Sequence, residues 1–211
     1  MTEQLHPRPS KIVCVGRNYV EHAKELGNVV PERPLIFFKP PSSIIADGDA
    51  IVLPEASAQV EHESEIGLVI DAPLKNASAW GVMSAVAGIT CVNDVTARDL
   101  QKTDNQWARA KGFDTFCPVG PRVVPLKDLP PLEELEVLCR VNGQERQHGY
   151  AKDMAFKIPD IISYISNIMT LEPGDLIATG SPAGVGPLVA GDVVEVEIPG
   201  VGILKNEVVA G

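Results

Sequence analysis

The 211-residue sequence predicts a mainly β protein of the α+β class, in which a rolled or barrel-like sheet is accompanied by a few short helices. Two observations support this fold class. The 18 glycines and 18 prolines divide the chain into short apolar segments, which favours many short strands. Only two or three segments carry the apolar period of a helix. Because 45% of the residues are hydrophobic, the core can be sizeable, and we expect a short arm over residues 1–10 followed by one domain over residues 11–211.

In the first third of the chain, a short helix is predicted over residues 18–27. Asn18 is a favourable N-cap, Glu21 follows it at the spacing of a capping box, and Gly27 stands after the last turn. Four segments are predicted strands because each is apolar and bounded by turn residues: 11–16, 34–40, 50–54 and 65–70.

The rest of the chain alternates between helical and extended patterns. Residues 76–94 begin as a loop or helix and end in a strand, and residues 96–112 contain a polar helical stretch. A hairpin is predicted over residues 137–149, since Asn-Gly in its centre is a strong turn signal. Apolar residues at helical spacing make 158–174 the clearest helix. Three predicted strands close the chain: 175–180, 192–200 and 202–209.

The charge and the cysteines exclude several classes of function. A formal net charge of −10 and a pI near 4.8 argue against nucleic acid or an anionic membrane as partner. The sequence has no apolar leader and no run of membrane-spanning length, so we expect a soluble cytoplasmic protein. Buried free thiols are the favoured interpretation of four widely spaced cysteines without a CxxC pair: Cys14, Cys91, Cys117 and Cys139.

Alternating acids form the first candidate site. Residues 60–70 are VEHESEIGLVI, where Glu61, Glu63 and Glu65 would share one face of a strand that runs into an apolar segment. An exposed strand edge is the ordinary interpretation of two such acids. However, Asp94 also follows an apolar strand, GITCVN, and strand ends are where sites are usually built. Carboxylate ligands on rigid strands suit Mg²⁺, Mn²⁺ or Ca²⁺, and three of them leave about three coordination positions for substrate and water.

Other polar residues could complete a catalytic site. His22 and Glu25 share a helix face at i, i+3, where Glu25 could orient an imidazole that accepts a proton from water, although a surface coincidence is the common alternative. The loops after Asp94 bring Arg98, Gln101 and Lys111. The loop TGSPAGVGP (179–187) lacks the Lys-Ser/Thr of a P-loop, so it either holds a carboxylate or is only a structural turn.

These segments together resemble the fumarylacetoacetate hydrolase family, and within it the small single-domain acylpyruvase and oxaloacetate decarboxylase branch. The resemblance runs in family order from about Lys11 to the end of the chain. It is carried by VGRNYVEHAKELG, PLIFFKP, HESEIGLVI, NDVTARDLQ, AKGFDTFCPVGP, RVNGQERQHG, IPDIISYIS and LEPGDLIATGSPAGVGP.

The resemblance implies a mixed β-roll of the family's C-terminal domain type, a homodimer and a Mg²⁺-dependent site. Glu61 has no role in the family motif, so we expect it to be solvated, and Ser181 stands where relatives often have threonine. The implied metal ligands are Glu63, Glu65 and Asp94; the implied catalytic residues are His22 and Glu25 of a lid helix and Lys111; the implied substrate contacts are Arg17, Lys39, Arg98, Gln101, Thr179 and Ser181.

The implied activity is hydrolysis of the C–C bond of an acylpyruvate, such as fumarylpyruvate or acetylpyruvate, to pyruvate and a carboxylic acid. In that scheme His22 and Glu25 activate water, and Lys111 stabilises the developing oxyanion as a pyruvate enolate leaves. Oxaloacetate decarboxylation passes through the same enolate. The alternatives are an oxaloacetate tautomerase, a 2-hydroxyhepta-2,4-diene-1,7-dioate isomerase or decarboxylase of aromatic catabolism, and a non-catalytic metal-binding scaffold. The complete His22–Glu25 pair favours hydrolysis or decarboxylation, because tautomerisation needs no activated water.

Overall fold

The structure is a computed structural model that describes residues 8–211, so most of the predicted N-terminal arm lies outside the described residues. The last residue of that arm, Ser10, is fixed to the body of the protein, because its backbone N–H and its hydroxyl both donate to Asp175 Oδ1. Among the described residues, no helix is both long and apolar enough to cross a membrane.

Short strands make up most of the regular structure. The helices are α1 (Val20–Glu25), α2 (Arg98–Thr103), α3 (Ala108–Gly112) and α4 (Ile158–Ile168). The strands are β1 (Ile12–Gly16), β2 (Leu35–Lys39), β3 (Ile44–Ile45), β4 (Ile51–Leu53), β5 (Val60–His62), β6 (Ser64–Ile70), β7 (Val86–Asn93), β8 (Thr96–Ala97), β9 (Cys117–Val124), β10 (Glu136–Val141), β11 (Gln144–Tyr150), β12 (Leu176–Ala178), β13 (Gly186–Pro187), β14 (Val193–Ile198) and β15 (Gly202–Ala210). The prediction of a mainly β fold with a few short helices is confirmed.

The strands form three mixed or antiparallel sheets. The largest has seven strands in the order β2-β1-β12-β6-β7-β9-β3, and its β1–β12 and β3–β9 pairs are parallel. A five-stranded sheet runs β11-β10-β14-β15-β4, with β15 and β4 parallel. A small third sheet is ordered β13-β5-β8. The sheets curl into a half-barrel, as the mixed β-roll prediction implied.

The main core lies between the two larger sheets and is closed by α4. Ile66 and Leu68 of β6 pack in one cluster with Val137 of β10 and Val196 of β14, and all four are fully buried or nearly so. On α4, Ile161, Ile162 and Ile165 face this cluster. Full burial of each such side chain contributes about 2 kcal/mol to folding, so the core keeps β6 rigid.

The central position of β6 determines where the acids are placed. All seven of its residues are buried, and it pairs antiparallel with β7 such that Ser64 lies opposite Asn93. The start of β6 and the end of β7 therefore meet at one edge of the sheet, and the Asp94 N–H donates to the Glu63 carbonyl at 2.8 Å. The Glu63 N–H in turn donates to Asn93 Oδ1 at 3.0 Å, so backbone and side-chain bonds join two segments distant in sequence.

The first predicted helix is present, but its start differs from the prediction. The helix begins at Val20 after Tyr19, and no side chain caps it. The Asn18 amide instead donates to the Thr179 carbonyl at 2.7 Å, so the N-cap prediction was wrong. Glu21 pairs with Lys24 rather than closing a capping box. The predicted stop at Gly27 is confirmed by its φ of 70°.

Several other boundaries differ from the predictions for identifiable reasons. The polar stretch over 96–112 forms two short helices, α2 and α3, and the helix predicted over 158–174 ends at Ile168. The pattern did not predict β9, whose sequence CPVGPRVV contains two prolines. The hairpin over 137–149 is confirmed, with Asn142 and Gly143 both at positive φ in its turn. The four cysteines are free and buried, as expected.

Candidate active site

Three buried carboxylates converge at the edge where β6 starts and β7 ends. Glu63 lies between β5 and β6, Glu65 is in β6, and Asp94 follows β7. One oxygen of each lies within 4.8 Å of the others, and none of the three residues is more than 5% exposed. The structure therefore brings together the three residues that the sequence predicted as metal ligands.

Buried cations surround two of these three acids. Lys111 Nζ donates to Glu63 Oε2 at 2.9 Å and to Asp94 Oδ2 at 2.6 Å. Lys39 Nζ donates to Asp94 Oδ1 at 2.6 Å, and the Arg98 guanidinium pairs with Glu63. Among the described residues, no cationic side chain pairs directly with Glu65, whose Oε2 accepts only the Gly180 N–H at 2.7 Å.

Glu61 was expected to be solvated, and that expectation was wrong. It is only 6% exposed, and its Oε2 accepts from Arg98 Nε at 2.7 Å. Arg98 therefore bridges Glu61 and Glu63, and its remaining nitrogen donates to Gln101 Oε1 at 2.6 Å. A guanidinium reaching back from α2 explains how alternating acids can share one buried face without prohibitive repulsion.

The charges around the acids shift their pKa values in opposite directions. Burial tends to raise the pKa of Glu63, but Lys111 and Arg98 outweigh it and hold that pKa well below its ordinary value. Burial, reinforced by Asp94 and Glu63, raises the pKa of Glu65 well above its ordinary value. Burial acts to lower the pKa of Lys111, yet the adjacent Asp94 and Glu63 raise it. Of the three acids, Glu65 is therefore the one whose negative charge is least compensated by nearby cations.

Helix α1 carries His22 and Glu25 over the same region. His22 is buried, and its Nδ1 lies 3.3 Å from Glu25 Oε2. The Glu25 carboxylate also accepts the Gly184 N–H, with 3.1 Å to each oxygen. The loop over 179–187 thus binds Glu65 through Gly180 and Glu25 through Gly184, and joins the acid cluster to the helix above it.

A cavity of about 240 Å³ opens beside the acids. Its wall includes nine of the residues predicted from the sequence: Arg17, His22, Glu63, Glu65, Asp94, Arg98, Gln101, Lys111 and Ser181. Glu25 is not part of the wall and reaches it through His22. All four of the predicted substrate contacts Arg17, Arg98, Gln101 and Ser181 lie on this wall, and their contact with a substrate remains a prediction.

Lys39 and Thr179, two predicted substrate contacts, do not line this cavity. Lys39 is buried, and its Nζ donates to Asp94 Oδ1 and to the Val95 carbonyl. The Thr179 hydroxyl donates to the Ile66 carbonyl at 2.9 Å and is completely buried. Both residues support the wall from behind.

The sequence interpretation did not single out the two aromatic side chains of the wall. Phe37 and Trp107 pack edge to face with 5.2 Å between ring centroids. Lys111 Nζ lies 4.9 Å from the Phe37 centroid, and Arg17 lies 5.9 Å from the Trp107 centroid. The only signal for Phe37 was its place in the PLIFFKP strand, and Trp107 stood among polar residues in a segment predicted to be helical.

The donor set fits a divalent cation. Carboxylate oxygens alone suit a hard ion such as Mg²⁺ or Mn²⁺. The buried group contains four carboxylates (Glu61, Glu63, Glu65, Asp94) and three cations (Lys39, Arg98, Lys111). A bound divalent cation would supply the missing positive charge at Glu65 and give the group a net positive charge toward an anionic substrate.

Comparison with known proteins identifies the family of this chain. The family model described as fumarylacetoacetate (FAA) hydrolase C-terminal matches residues 11–209. Oxaloacetate tautomerase FAHD1, mitochondrial, of Arabidopsis thaliana is 42% identical over 99% of this chain and 95% of that protein. Oxaloacetate tautomerase FAHD2A, mitochondrial, of Homo sapiens is 44% identical over 96% of this chain and 67% of that protein.

A solved structure has the same fold. The 2-hydroxyhepta-2,4-diene-1,7-dioate isomerase from Mycobacterium marinum superimposes with a TM-score of 0.88 at 44% identity, over 96% of this chain and 75% of that one. Since the family model spans nearly the whole chain and these relatives exceed 40% identity along it, this protein belongs to the fumarylacetoacetate hydrolase family.

Proposed function

We propose that the protein interconverts the keto and enol forms of a 2-oxo dicarboxylic acid, with oxaloacetate as the substrate and Mg²⁺ as the cofactor. The observation that carries this proposal is the convergence of Glu63, Glu65 and Asp94 on one cavity wall together with His22 and Lys111. Relatives above 40% identity that are named for oxaloacetate tautomerisation and for a dienedioate isomerisation support it over the hydrolysis that the motifs first suggested.

The chemistry requires a proton to leave carbon 3 and another to reach the carbon-2 oxygen, or the reverse. A divalent cation held by Glu63, Glu65 and Asp94 would supply Lewis-acid stabilisation of the enolate. His22 is the residue suited to move the carbon-3 proton, because Glu25 engages Nδ1 and leaves Nε2 for a bound substrate. The ammonium of Lys111 stabilises negative charge on the substrate oxygens.

Two further cations on the cavity wall suit a substrate with a second carboxylate. They are Arg17 and Lys102, in a chain whose net charge is −10. Arg17 is further held against the face of Trp107. A dicarboxylate could thus present one end to the acid cluster and the other to this pair of cations.

Hydrolysis of an acylpyruvate is the second candidate, and one observation favours it. His22 and Glu25 form the complete pair that an activated water needs, and Glu25 is held in place by the Gly184 N–H. Oxaloacetate decarboxylation would use the same enolate without that water.

The deciding experiment follows two signals with MgCl₂ or with EDTA. Loss of enol-oxaloacetate absorbance reports tautomerisation, and pyruvate release from oxaloacetate, acetylpyruvate and fumarylpyruvate reports cleavage. We expect metal-dependent loss of the enol signal above the spontaneous rate, little pyruvate, and a large loss of rate in His22→Ala. Metal-dependent pyruvate release from an acylpyruvate, abolished in His22→Ala, would establish hydrolysis instead. Absence of both signals would support a scaffold and refute both enzymatic proposals.

We also propose, from the family resemblance, that the chain is one domain, acts as a homodimer and resides in the cytoplasm. Light scattering of the purified protein measures the assembly directly, and a monomer at micromolar concentration would refute the dimer.

A further inference from the structure

Strand β11 lies in direct contact with the loop over 179–187. A β-carbon on Gly149 would lie 2.5 Å from Pro182 Cβ, and one on Gly184 would lie 1.9 Å from the Arg146 carbonyl oxygen. Glycine is therefore required at both contacts. Strand and loop are packed backbone against backbone, closer than any larger residue would permit.

Gln147 of β11 occupies the centre of this contact and is 1% exposed. Its Oε1 accepts from the Ser64 N–H at 3.0 Å and from His62 Nδ1 at 2.9 Å. Its Nε2 donates to Ser181 Oγ and to the Pro182 carbonyl, both at 2.7 Å. A backbone N–H can only donate, so the atom facing Ser64 must be the amide oxygen, and the orientation of the amide is fixed.

This arrangement determines what the Ser181 hydroxyl can do. Gln147 Nε2 donates to Ser181 Oγ, so the hydroxyl acts as acceptor on that side and keeps its proton for another partner. Within the described residues, the one acceptor within reach of that proton is the Pro182 carbonyl at a long 3.4 Å. Because Ser181 lines the cavity, its proton is available to an acceptor oxygen of a bound molecule.

We propose that Gln147 is a positioning residue that holds Ser181 as a hydrogen-bond donor to the carboxylate of a bound 2-oxo acid. The ligand class rests on the proposed function, whereas the role of Gln147 rests on the four hydrogen bonds. The same loop presents the Gly180 N–H to Glu65 and the Gly184 N–H to Glu25. Gln147 thus connects β11 to a loop that holds one acid of the cluster and one acid of the helix above it.

A double-mutant cycle tests the proposal. The variants are Gln147→Glu, Ser181→Ala and the double variant, and Ser181→Thr is the control that keeps a hydroxyl. In Gln147→Glu the donor is replaced by a carboxylate oxygen that accepts the Ser181 proton and turns it away from the cavity. The readouts are the dissociation constant of pyruvate in MgCl₂ by calorimetry, the KM and kcat for oxaloacetate, and the melting temperature.

We expect Gln147→Glu and Ser181→Ala each to weaken pyruvate binding and raise KM on the order of tenfold, the loss typical of a hydrogen bond to a charged group. The double variant should bind pyruvate no more weakly than either single variant, because both single substitutions remove the same hydrogen bond from Ser181 to the ligand. Ser181→Thr should bind like the wild type. Should Gln147→Glu fail to fold, Gln147→Met removes the donor without adding charge and enters the same cycle.

Two failures are distinguishable. If the Gln147 substitution weakens binding by the same factor in the wild-type protein and in the Ser181→Ala variant, the residue is only structural and the inference is refuted while the proposed function stands. If the wild type binds neither pyruvate nor oxaloacetate in MgCl₂, the ligand class is wrong, and the proposed function and the inference both fail.

Discussion

Replacing Glu65 with glutamine should stabilise the metal-free protein while abolishing its response to Mg²⁺. Glu65 is 1% exposed, and burial with Asp94 and Glu63 raises its pKa well above the ordinary value. Glutamine has nearly the same shape, and its carbonyl oxygen can still accept the Gly180 N–H that Glu65 accepts at 2.7 Å. At a pH above the raised pKa of Glu65, the substitution therefore removes a charge and leaves the packing intact.

The size of the stabilisation follows from the spacing of the acids. Two unit charges 4.8 Å apart, the separation that bounds this cluster, repel by roughly 3 kcal/mol at an effective dielectric constant of about 20. Lys111, bonded to both neighbouring acids, offsets part of that repulsion. A net gain of about 1–2 kcal/mol should remain, which corresponds to a rise in melting temperature of roughly 2–8 °C for a chain of this size.

The pH dependence has a definite sign in EDTA. A carboxyl with a raised pKa binds more protons in the folded than in the unfolded state, so wild-type stability falls as the pH rises from the ordinary glutamate pKa of 4.5 toward the raised value. Glu65→Gln has no such group. Its advantage over the wild type should therefore be negligible near pH 4 and grow as the pH increases.

The assay is thermal unfolding with EDTA or with increasing MgCl₂. The melting temperature of the wild type should rise with Mg²⁺ by mass action. Glu65→Gln should melt at a higher temperature than the wild type in EDTA, and its melting temperature should not change as MgCl₂ is added. Glu61→Gln is the matched control: it removes the partner of Arg98 rather than a ligand, so it should lower the melting temperature and keep the Mg²⁺ response. A Glu65→Gln variant that still responds to Mg²⁺, or that melts lower in EDTA than the wild type, would refute the reasoning.

Three further substitutions test separate parts of the structure. Gly184→Ala should lower the free energy of unfolding by more than about 2 kcal/mol in urea titrations, since its β-carbon would lie 1.9 Å from the Arg146 carbonyl oxygen at a φ of 99°. Lys111→Met should tighten substrate-free Mg²⁺ binding about tenfold by calorimetry, because it removes a cation from between two ligand acids, while turnover falls. For Asp175, burial acts to raise the pKa, but hydrogen bonds from the Glu172 N–H and Lys11 outweigh it and lower the pKa. The stability lost in Asp175→Asn should therefore shrink as the pH falls below 3.8. A difference in melting temperature between the two proteins that stays constant with pH would contradict this.

Local patterns and the family motif together predicted the acid cluster. Glu63 and Glu65 run into one apolar segment and Asp94 follows another, and the structure shows that the two strands, β6 and β7, pair antiparallel and bring the acids to one edge. The partners of the acids were not predictable in this way. Lys39 is 55 residues from Asp94, and Arg98 is 37 residues from Glu61. Without those pairings, a solvated Glu61 was the reasonable expectation, and only the tertiary structure corrects it.

Strand β9 and the buried position of Gln147 were also not predictable from the sequence pattern. Strand β9 escaped prediction because its two prolines argue against a strand, although the sheet tolerates them. In β11 the sequence QERQ has no apolar residue, so nothing in the pattern distinguished Gln147 from its solvated neighbours Glu145 and Arg146. The four hydrogen-bond partners of the buried Gln147 amide come from other segments of the chain, and the sequence pattern does not predict which segments will surround it.

The distribution of hydrogen bonds over the three predicted ligand acids explains why Lys111 is placed among them. Both oxygens of Glu63 and both of Asp94 accept from buried cations, whereas Glu65 has only a backbone N–H. Lys111 supplies one bond to each of the first two acids, and it also lines the cavity. A divalent ion held by these acids would compete with Lys111 for those oxygens and would free its ammonium for the substrate of the proposed reaction. Lys111 would then act in both states: without metal it compensates the charges of Glu63 and Asp94, and with metal it would stabilise the substrate oxygens.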